Sequence, residues 1–194
     1  MYAEATEQMA ALRARGADLA RLSDAKERAD ALSYFYLPVT PEAGRLLYTL
    51  VRASRPATVV EFGMSLGISA LHLAAAVRDN GTGRVVTTEL SAAKVAAAGR
   101  TFAESGLDDL ITVLEGDALE TLQSLDGSVD FVLLDGWKEL YVPVLELLEP
   151  RLRAGALVVA DNTSMPGLAP YLDHVRNPAN GYVSVSFPAR DSDS

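Results

Sequence analysis

Between residues 58 and 160 the apolar positions gather into five short, nearly unbroken runs, at 58–62, 84–88, 111–114, 131–134 and 156–160. Each run is followed by a stretch whose apolar residues recur three and four apart. Strand then helix, five times over, predicts an α/β fold: a doubly wound, mostly parallel sheet with helices on both faces. Runs apolar at consecutive positions, not alternate ones, are those of strands buried on both sides. Ahead of them, residues 3–32 are Ala-rich with interspersed charges and predict two helices outside the sheet, broken near Gly16, with Ser23 and Asp24 capping the second. Thr40, Pro41 and Glu42 then read as an N-cap, a proline at the first helical position and an acidic first turn. Near the other end an Asn180-Gly181 turn leads into "GYVSVSFP", which reads as a sixth strand. The expectation is one domain over 1–194, made of a helical cap (1–37), a core (38–188) and a tail (189–194).

Composition narrows the function classes. With 194 residues, 49% of them hydrophobic, the chain can bury a sizeable core. A formal charge of -9 argues against a nucleic-acid partner, which would call for a basic stripe against the phosphates. There is no cysteine, and His72 and His174 are the only histidines, so a disulfide framework, a thiolate centre and a multi-histidine centre are all disfavoured. Any metal would be held by oxygen. The polar, acidic N-terminus fits neither a signal peptide nor a membrane span, and no apolar run reaches bilayer length, so a cytoplasmic protein without a membrane partner is expected.

In doubly wound sheets ligands bind beyond the carboxyl ends of the strands. Here those ends read "EFGMSLG" from 61, "TEL" from 88, "EGDA" from 115, "DGWK" from 135 and "DNTSMPG" from 161. Gly63 and Gly67 suit a strand-to-helix turn that a ligand approaches closely, or an ordinary tight turn. Ser65 stands where a dinucleotide fingerprint needs its second glycine, which counts against a nicotinamide or flavin cofactor. Glu89 ends the second strand, where a carboxylate can accept from both hydroxyls of a ribose. Together these suggest an adenosine ligand without a diphosphate. Asp117, with Glu120 three residues on, reads first as a helix cap and second as a loop against an adenine. Asp135, Asp161 and Asn162 end the fourth and fifth strands and, as neighbours, form a hard oxygen set suited to Mg²⁺; either strand end alone would read as a cap or an Asx turn. Lys138 is one of three lysines against fourteen arginines, and beside a dication its charged form would be disfavoured, suiting a general base. Trp137, the only tryptophan, and Pro166 read as flat walls for an aromatic ligand or as core.

"VVEFGMSLGISALHLA", "TTEL", "LLDGWKELYVP" and "VVADNTSMPG" resemble the S-adenosylmethionine-dependent, divalent-cation-dependent O-methyltransferases of the catechol O-methyltransferase type, over about residues 38–188. The resemblance implies the Rossmann-like class I methyltransferase fold, the two cofactors S-adenosylmethionine and Mg²⁺ or another divalent cation, and a small phenolic substrate. It implies that Glu61, Gly63, Ser65 and Ser69 contact the methionine end of the cofactor, that Glu89 binds the ribose and that Asp117 and Ala118 lie on the adenine side. It places Val39 over the transfer site and Asp135 beside the cofactor. Asp135, Asp161 and Asn162 are then the metal ligands, Lys138 the base, and Trp137 and Pro166 the gatekeepers of an aromatic acceptor. Gly136 replaces a larger residue of the mammalian enzymes, which implies extra space around the adenine. Ser65 replaces an aromatic residue near the sulfonium. The family's final antiparallel strand has no counterpart in these residues, which leaves two expectations: a truncated C-terminus, or a sheet edge finished by other means, a homodimer among them.

The expected reaction is methyl transfer to one hydroxyl of a vicinal dihydroxy aromatic acceptor. Two rival readings stay open: a metal-independent small-molecule methyltransferase, and an S-adenosylmethionine-binding protein without catalysis.

Overall fold

Val59 and Val60 are neighbours in the chain, both wholly buried, yet they belong to different cores. Successive side chains of a strand point to opposite faces, and here both faces are apolar. The computed structural model describes residues 2–19, 22, 24–165 and 167–187. Its five strands are β1 (Thr58–Phe62), β2 (Arg84–Glu89), β3 (Ile111–Glu115), β4 (Val129–Leu134) and β5 (Leu152–Ala160). They form one wholly parallel sheet in the order β3-β2-β1-β4-β5. The order reverses at β1, so β1, β2 and β4 are central and almost fully buried, whereas β3 and β5 are half-exposed edges.

The helices are α1 (Tyr2–Leu19), α2 (Ala25–Ala31), α3 (Pro41–Ser54), α4 (Ile68–Asn80), α5 (Ala92–Glu104), α6 (Ala118–Thr121), α7 (Tyr141–Leu148) and α8 (Ala169–Arg176). On one face Val59, Val85, Phe131 and Leu133 meet Leu47 and Val51 of α3, Leu73 and Val77 of α4, and Phe102 of α5. On the other, Val60, Val86, Val132 and Leu134 meet Leu122 just after α6, Val144 and Leu148 of α7, and Tyr171 of α8. Each such side chain taken out of water contributes about 1.5–3 kcal/mol. Caps fix where helices begin. Thr40 accepts from Ala43 N at 3.1 Å before Pro41 opens α3, and Asp24 accepts from Glu27 N at 2.9 Å to start α2.

Several boundaries differ from the expectation. α1 runs through Gly16 to Leu19, because one interior glycine costs only about 1 kcal/mol against alanine and does not by itself end a helix. The Ser23 half of the second cap lies outside the described residues. β5 begins four residues early, at Leu152: its exposed "RAG" is the polar stretch of an edge strand and carries no apolar signal. The sixth strand is not formed over 182–187. That segment alternates in sequence, but no ladder pairs with it; the Tyr182 hydroxyl donates to Glu149 at 2.8 Å and the Ser184 hydroxyl to Val175 O at 2.5 Å, while Val183, Val185 and Phe187 stay exposed. Alternation alone makes an amphipathic extended chain, and a strand needs a partner edge as well. Among the described residues no helix is long and apolar enough to cross a membrane.

Candidate active site

The sheet's hydrogen bonding continues one rung past the strands. Asp135 N donates to Phe62 O at 2.8 Å, Asp161 N to Leu134 O at 3.0 Å, Met64 N to Thr88 O at 2.9 Å and Gly116 N to Glu89 O at 2.9 Å. All five carboxyl ends are thereby drawn into one rim. A cavity of about 470 Å³ opens there, and Gly63, Ser65, Glu89, Asp117, Ala118, Asp135, Trp137, Lys138, Asp161 and Asn162 all line it. A site assembled from sequence positions a hundred residues apart is what parallel β-α-β winding makes.

The β1 and β4 turns touch. A Cβ on Gly63, whose φ is +97°, would lie 2.5 Å from the Gly136 Cα, and a Cβ on Gly136 would lie 2.5 Å from the Phe62 ring. Gly136 therefore opens no space around a ligand, contrary to the expectation: the Phe62 side chain already fills the room a larger residue would take.

Ser65 holds a left-handed φ of +52°, pinned by its N–H to Glu89 Oε2 at 2.8 Å, and its hydroxyl oxygen accepts from Lys94 Nζ at 3.2 Å. Glu89 Oε1 accepts from Ser91 N at 2.9 Å, so this carboxylate ties the glycine turn to its own strand end while facing the cavity. Asp117 caps α6 through Leu119 N at 2.8 Å and also faces the cavity, which makes the structural and the ligand-facing readings compatible. Glu61 is wholly buried next to this turn. The hydroxyl of Thr87 donates to its Oε2 and that of Ser69 also bonds it, while Oε1 has no partner. Burial pushes its pKa up to about 7. An orphaned, buried carboxyl oxygen beside a glycine turn fits a cationic amino group on a ligand.

At the β4 and β5 ends, Asp135 is held well above the usual carboxylate range by burial first and by the Asp161 carboxylate second, with Lys138 opposing. Asp161 Oδ1 accepts from Asn162 N at 2.7 Å, and Asn162 takes a φ of +58°, a conformation that asparagine tolerates. Among the described residues no group of three or more acidic or imidazole side chains gathers as a metal site. Two carboxylates and an amide oxygen nonetheless fit a hard dication that keeps other positions for water and substrate, and such an ion would relieve the repulsion that raises Asp135. Lys138 Nζ donates to the Tyr141 hydroxyl at 2.7 Å and lies 3.7 Å from Asp135 Oδ1. Tyr141 in turn donates to Asp161 O at 3.1 Å, linking the lysine to the β5 loop. Burial lowers the Lys138 pKa, more than Asp135 and Asp161 raise it.

Residues 60–163 match a family model described as a methyltransferase domain, which takes in β2 to β5, most of β1 and the strand-end motifs as far as Asp161 and Asn162. The chain belongs to this family. A Mycobacterium tuberculosis protein named "Probable O-methyltransferase" is 37% identical over 149 residues, covering 71% of this chain and 63% of the relative. Catechol O-methyltransferase of Sus scrofa is 34% identical over 140 residues, covering 69% of this chain and 74% of the relative. This chain spans 58% of catechol O-methyltransferase B of Danio rerio. The solved O-methyltransferase TomG from Streptomyces achromogenes, in complex with SAM, is 28% identical with a TM-score of 0.65, covering 79% of this chain and 72% of that one. The fold is thus the Rossmann-like class I methyltransferase fold.

Other parts of this candidate site carry no motif. Lys94 of α5 is 4% exposed and lines the cavity, its pKa lowered by burial; only its rarity as one of three lysines could have singled it out. α2 closes the mouth with Ala25, Ala29 and Leu32, and its Arg28 guanidinium lies 4.5 Å from the centre of the Trp137 ring. No sequence signal reports that contact, since it joins residues a hundred positions apart. Three expected residues stand apart from the cavity wall. Val39 is 2% exposed in the core, with its neighbour Pro38 lining the cavity; Glu61 and Ser69 are buried behind the glycine turn. Pro166 lies outside the described residues, and Met165 lines the cavity beside it in sequence.

Proposed function

We propose that the protein transfers the methyl group of S-adenosylmethionine to one hydroxyl of a small catechol-like acceptor, assisted by Mg²⁺ or a similar cation. The observation that carries this reading is the meeting, in one cavity, of the Glu89 carboxylate, the Asp135, Asp161 and Asn162 oxygen set and a lysine whose pKa burial lowers. When bound, the cofactor supplies an electrophilic methyl group on a sulfonium. A bound dication supplies Lewis acidity at the acceptor hydroxyls.

The chain's own work is placement and proton handling. Glu89 and Asp117 face the ribose and adenine portions, and the glycine turn, backed by Glu61 and Ser69, takes the methionine end, Glu61 offering its unpartnered oxygen from behind the turn. Asp135, Asp161 and Asn162 hold the cation. Lys138, fixed by Tyr141, takes the proton from the attacking hydroxyl, and Trp137 would wall one side of the acceptor ring and so restrict its orientation. Ala29, Leu32 and Met165 give the cavity an apolar rim beside that step.

The test is methyl transfer to a panel of catechols with Mg²⁺ and, in parallel, with EDTA. Turnover only with the metal is expected. Equal turnover in EDTA would favour a metal-independent methyltransferase, and cofactor binding without any turnover would favour a non-catalytic binding protein. Lys138→Ala is expected to lower kcat by about 10²–10⁴-fold with cofactor affinity kept; unchanged kcat would remove Lys138 as the base. The assembly we propose is a homodimer, supported by the β5 edge, which has no strand partner among the described residues, and by the exposed Val183, Val185 and Phe187. Light scattering giving the mass of a single chain would dismiss it.

A further inference from the structure

We propose that Arg28 makes the acceptor site selective for substrates bearing a carboxylate or similar anion on the side chain of the ring; this rests on the reading of the cavity as the acceptor site. On α2, positions 25, 28, 29 and 32 share one helix face. Ala25, Ala29 and Leu32 line the cavity, and Arg28, which does not line it itself, stands beside them with its guanidinium 4.5 Å from the centre of the Trp137 ring and its partner Glu139 on the cavity wall. Its Nη2 donates to Glu139 Oε1 at 2.5 Å, while its Nε is buried with no partner.

A guanidinium offers a carboxylate two parallel N–H donors along its Nε and Nη2 edge. Here Glu139 takes only one of them. Its side chain is 55% exposed, against 23% for Arg28, so the glutamate is the partner free to swing into solvent. A ligand carboxylate entering along the Trp137 face would displace Glu139, occupy both donors and satisfy the buried Nε. Glu139 thus stands in for the ligand group. The two lysines that line the cavity are engaged elsewhere, Lys138 by Tyr141 and Asp135 and Lys94 by the Ser65 hydroxyl, and a chain of formal charge -9 repels anions at long range. A local, pre-oriented arginine is what an anionic acceptor would need.

The test uses dihydroxyphenylpropanoate, its primary amide and the corresponding propylamine, which share ring and chain length and differ in tail charge. KM for methyl transfer is measured, and binding is followed independently by quenching of Trp137, the only tryptophan. The wild-type protein is expected to bind the carboxylate about 10-fold or more tighter than the amide. Arg28→Met should bring the two within about 2-fold while leaving the amide little changed, and Glu139→Gln should tighten the carboxylate alone. Arg28→Lys, which keeps the charge without the fork, should recover only part of the preference. Equal weakening of all three ligands in Arg28→Met, or a preference for the amine, would overturn the proposal. Methylation without a tail preference would sink it and leave the methyltransferase reading standing. Carboxylate-selective quenching without methylation would do the reverse, and failure of all three to bind would sink both.

Discussion

Glu61 is the residue whose environment departs most from what its chemistry prefers. It is a carboxyl wholly enclosed in the sheet, with one oxygen bonded by hydroxyls and the other unpartnered, and burial moves its pKa from 4.5 to about 7. The native state therefore holds a proton that the unfolded chain releases. Stability from this group is fully present below pH 4.5 and is lost as the pH rises through about 7, on the order of 3 kcal/mol in all. On the cofactor reading, a cationic amino group requires the charged form, so binding must expel that proton. Calorimetry at about pH 6 in buffers of different ionisation enthalpy should show about one proton released per ligand, and affinity should fall as the pH drops. Glu61→Gln should abolish the release; an unchanged release in that variant would separate Glu61 from the ligand. Gly136 makes the opposite case, a residue whose role is to be absent. Gly136→Ala forces a methyl group into the Phe62 ring and should cost about 1–3 kcal/mol in denaturant unfolding. It should also weaken cofactor binding where Phe62, which lines the cavity, yields towards it.

Among the elements, β4 organises the sheet at both ends. At its carboxyl end it delivers Asp135 and Lys138. At its amino end, beside the irregular register between Val129 and Phe131, Asp130 Oδ2 accepts from the N–H groups of Ala57 and Thr58 at 2.9 and 3.0 Å, and its Oδ1 from Arg153 of β5 at 3.2 Å. Asp130→Ala would leave two donors at the start of β1 without their acceptor and should destabilise the fold by about 1–3 kcal/mol. Since Asp130 lies at the end of the sheet remote from the cavity, KM for cofactor and acceptor should stay unchanged; a raised KM would mean that strand registry reaches the site. This division explains what could be read in the chain. The buried strands announce themselves by unbroken apolar runs, and their chemistry falls at the ends because winding is right-handed and ligands gather at carboxyl edges. Asp135, Asp161 and Lys138 were legible for that reason. The exposed half of β5, the continuation of α1 through Gly16 and the unpaired segment after Tyr182 were not, since each depends on what the rest of the molecule supplies. Arg28 and Lys94 join the site through packing between distant elements, which periodicity does not encode.

Taken whole, the molecule builds its cavity from the ends of all five strands together with α2 and α5, so no part of the site exists before the sheet is assembled. A ligand filling the cavity binds the native state alone, and its binding free energy becomes stability of the entire fold. At a free ligand concentration of about 100 times Kd the gain is about 2.7 kcal/mol. In a domain of this size each kcal/mol raises Tm by roughly 2–4 °C, so S-adenosylmethionine should shift thermal unfolding upward by roughly 5–10 °C. Every strand carries part of the cavity wall, so the shift should appear as one cooperative transition, equally in far-ultraviolet circular dichroism and in Trp137 fluorescence. The two signals are informative together, because Trp137 sits against Arg28 of the helical cap while the dichroism is dominated by the sheet and its covering helices. A shift confined to the fluorescence would mean that the ligand orders only the mouth, leaving β1 to β3 out of the binding site. No shift in either signal, at concentrations where calorimetry shows saturation, would mean that the ligand binds the unfolded chain equally well, and the cavity would lose its claim to be the cofactor site.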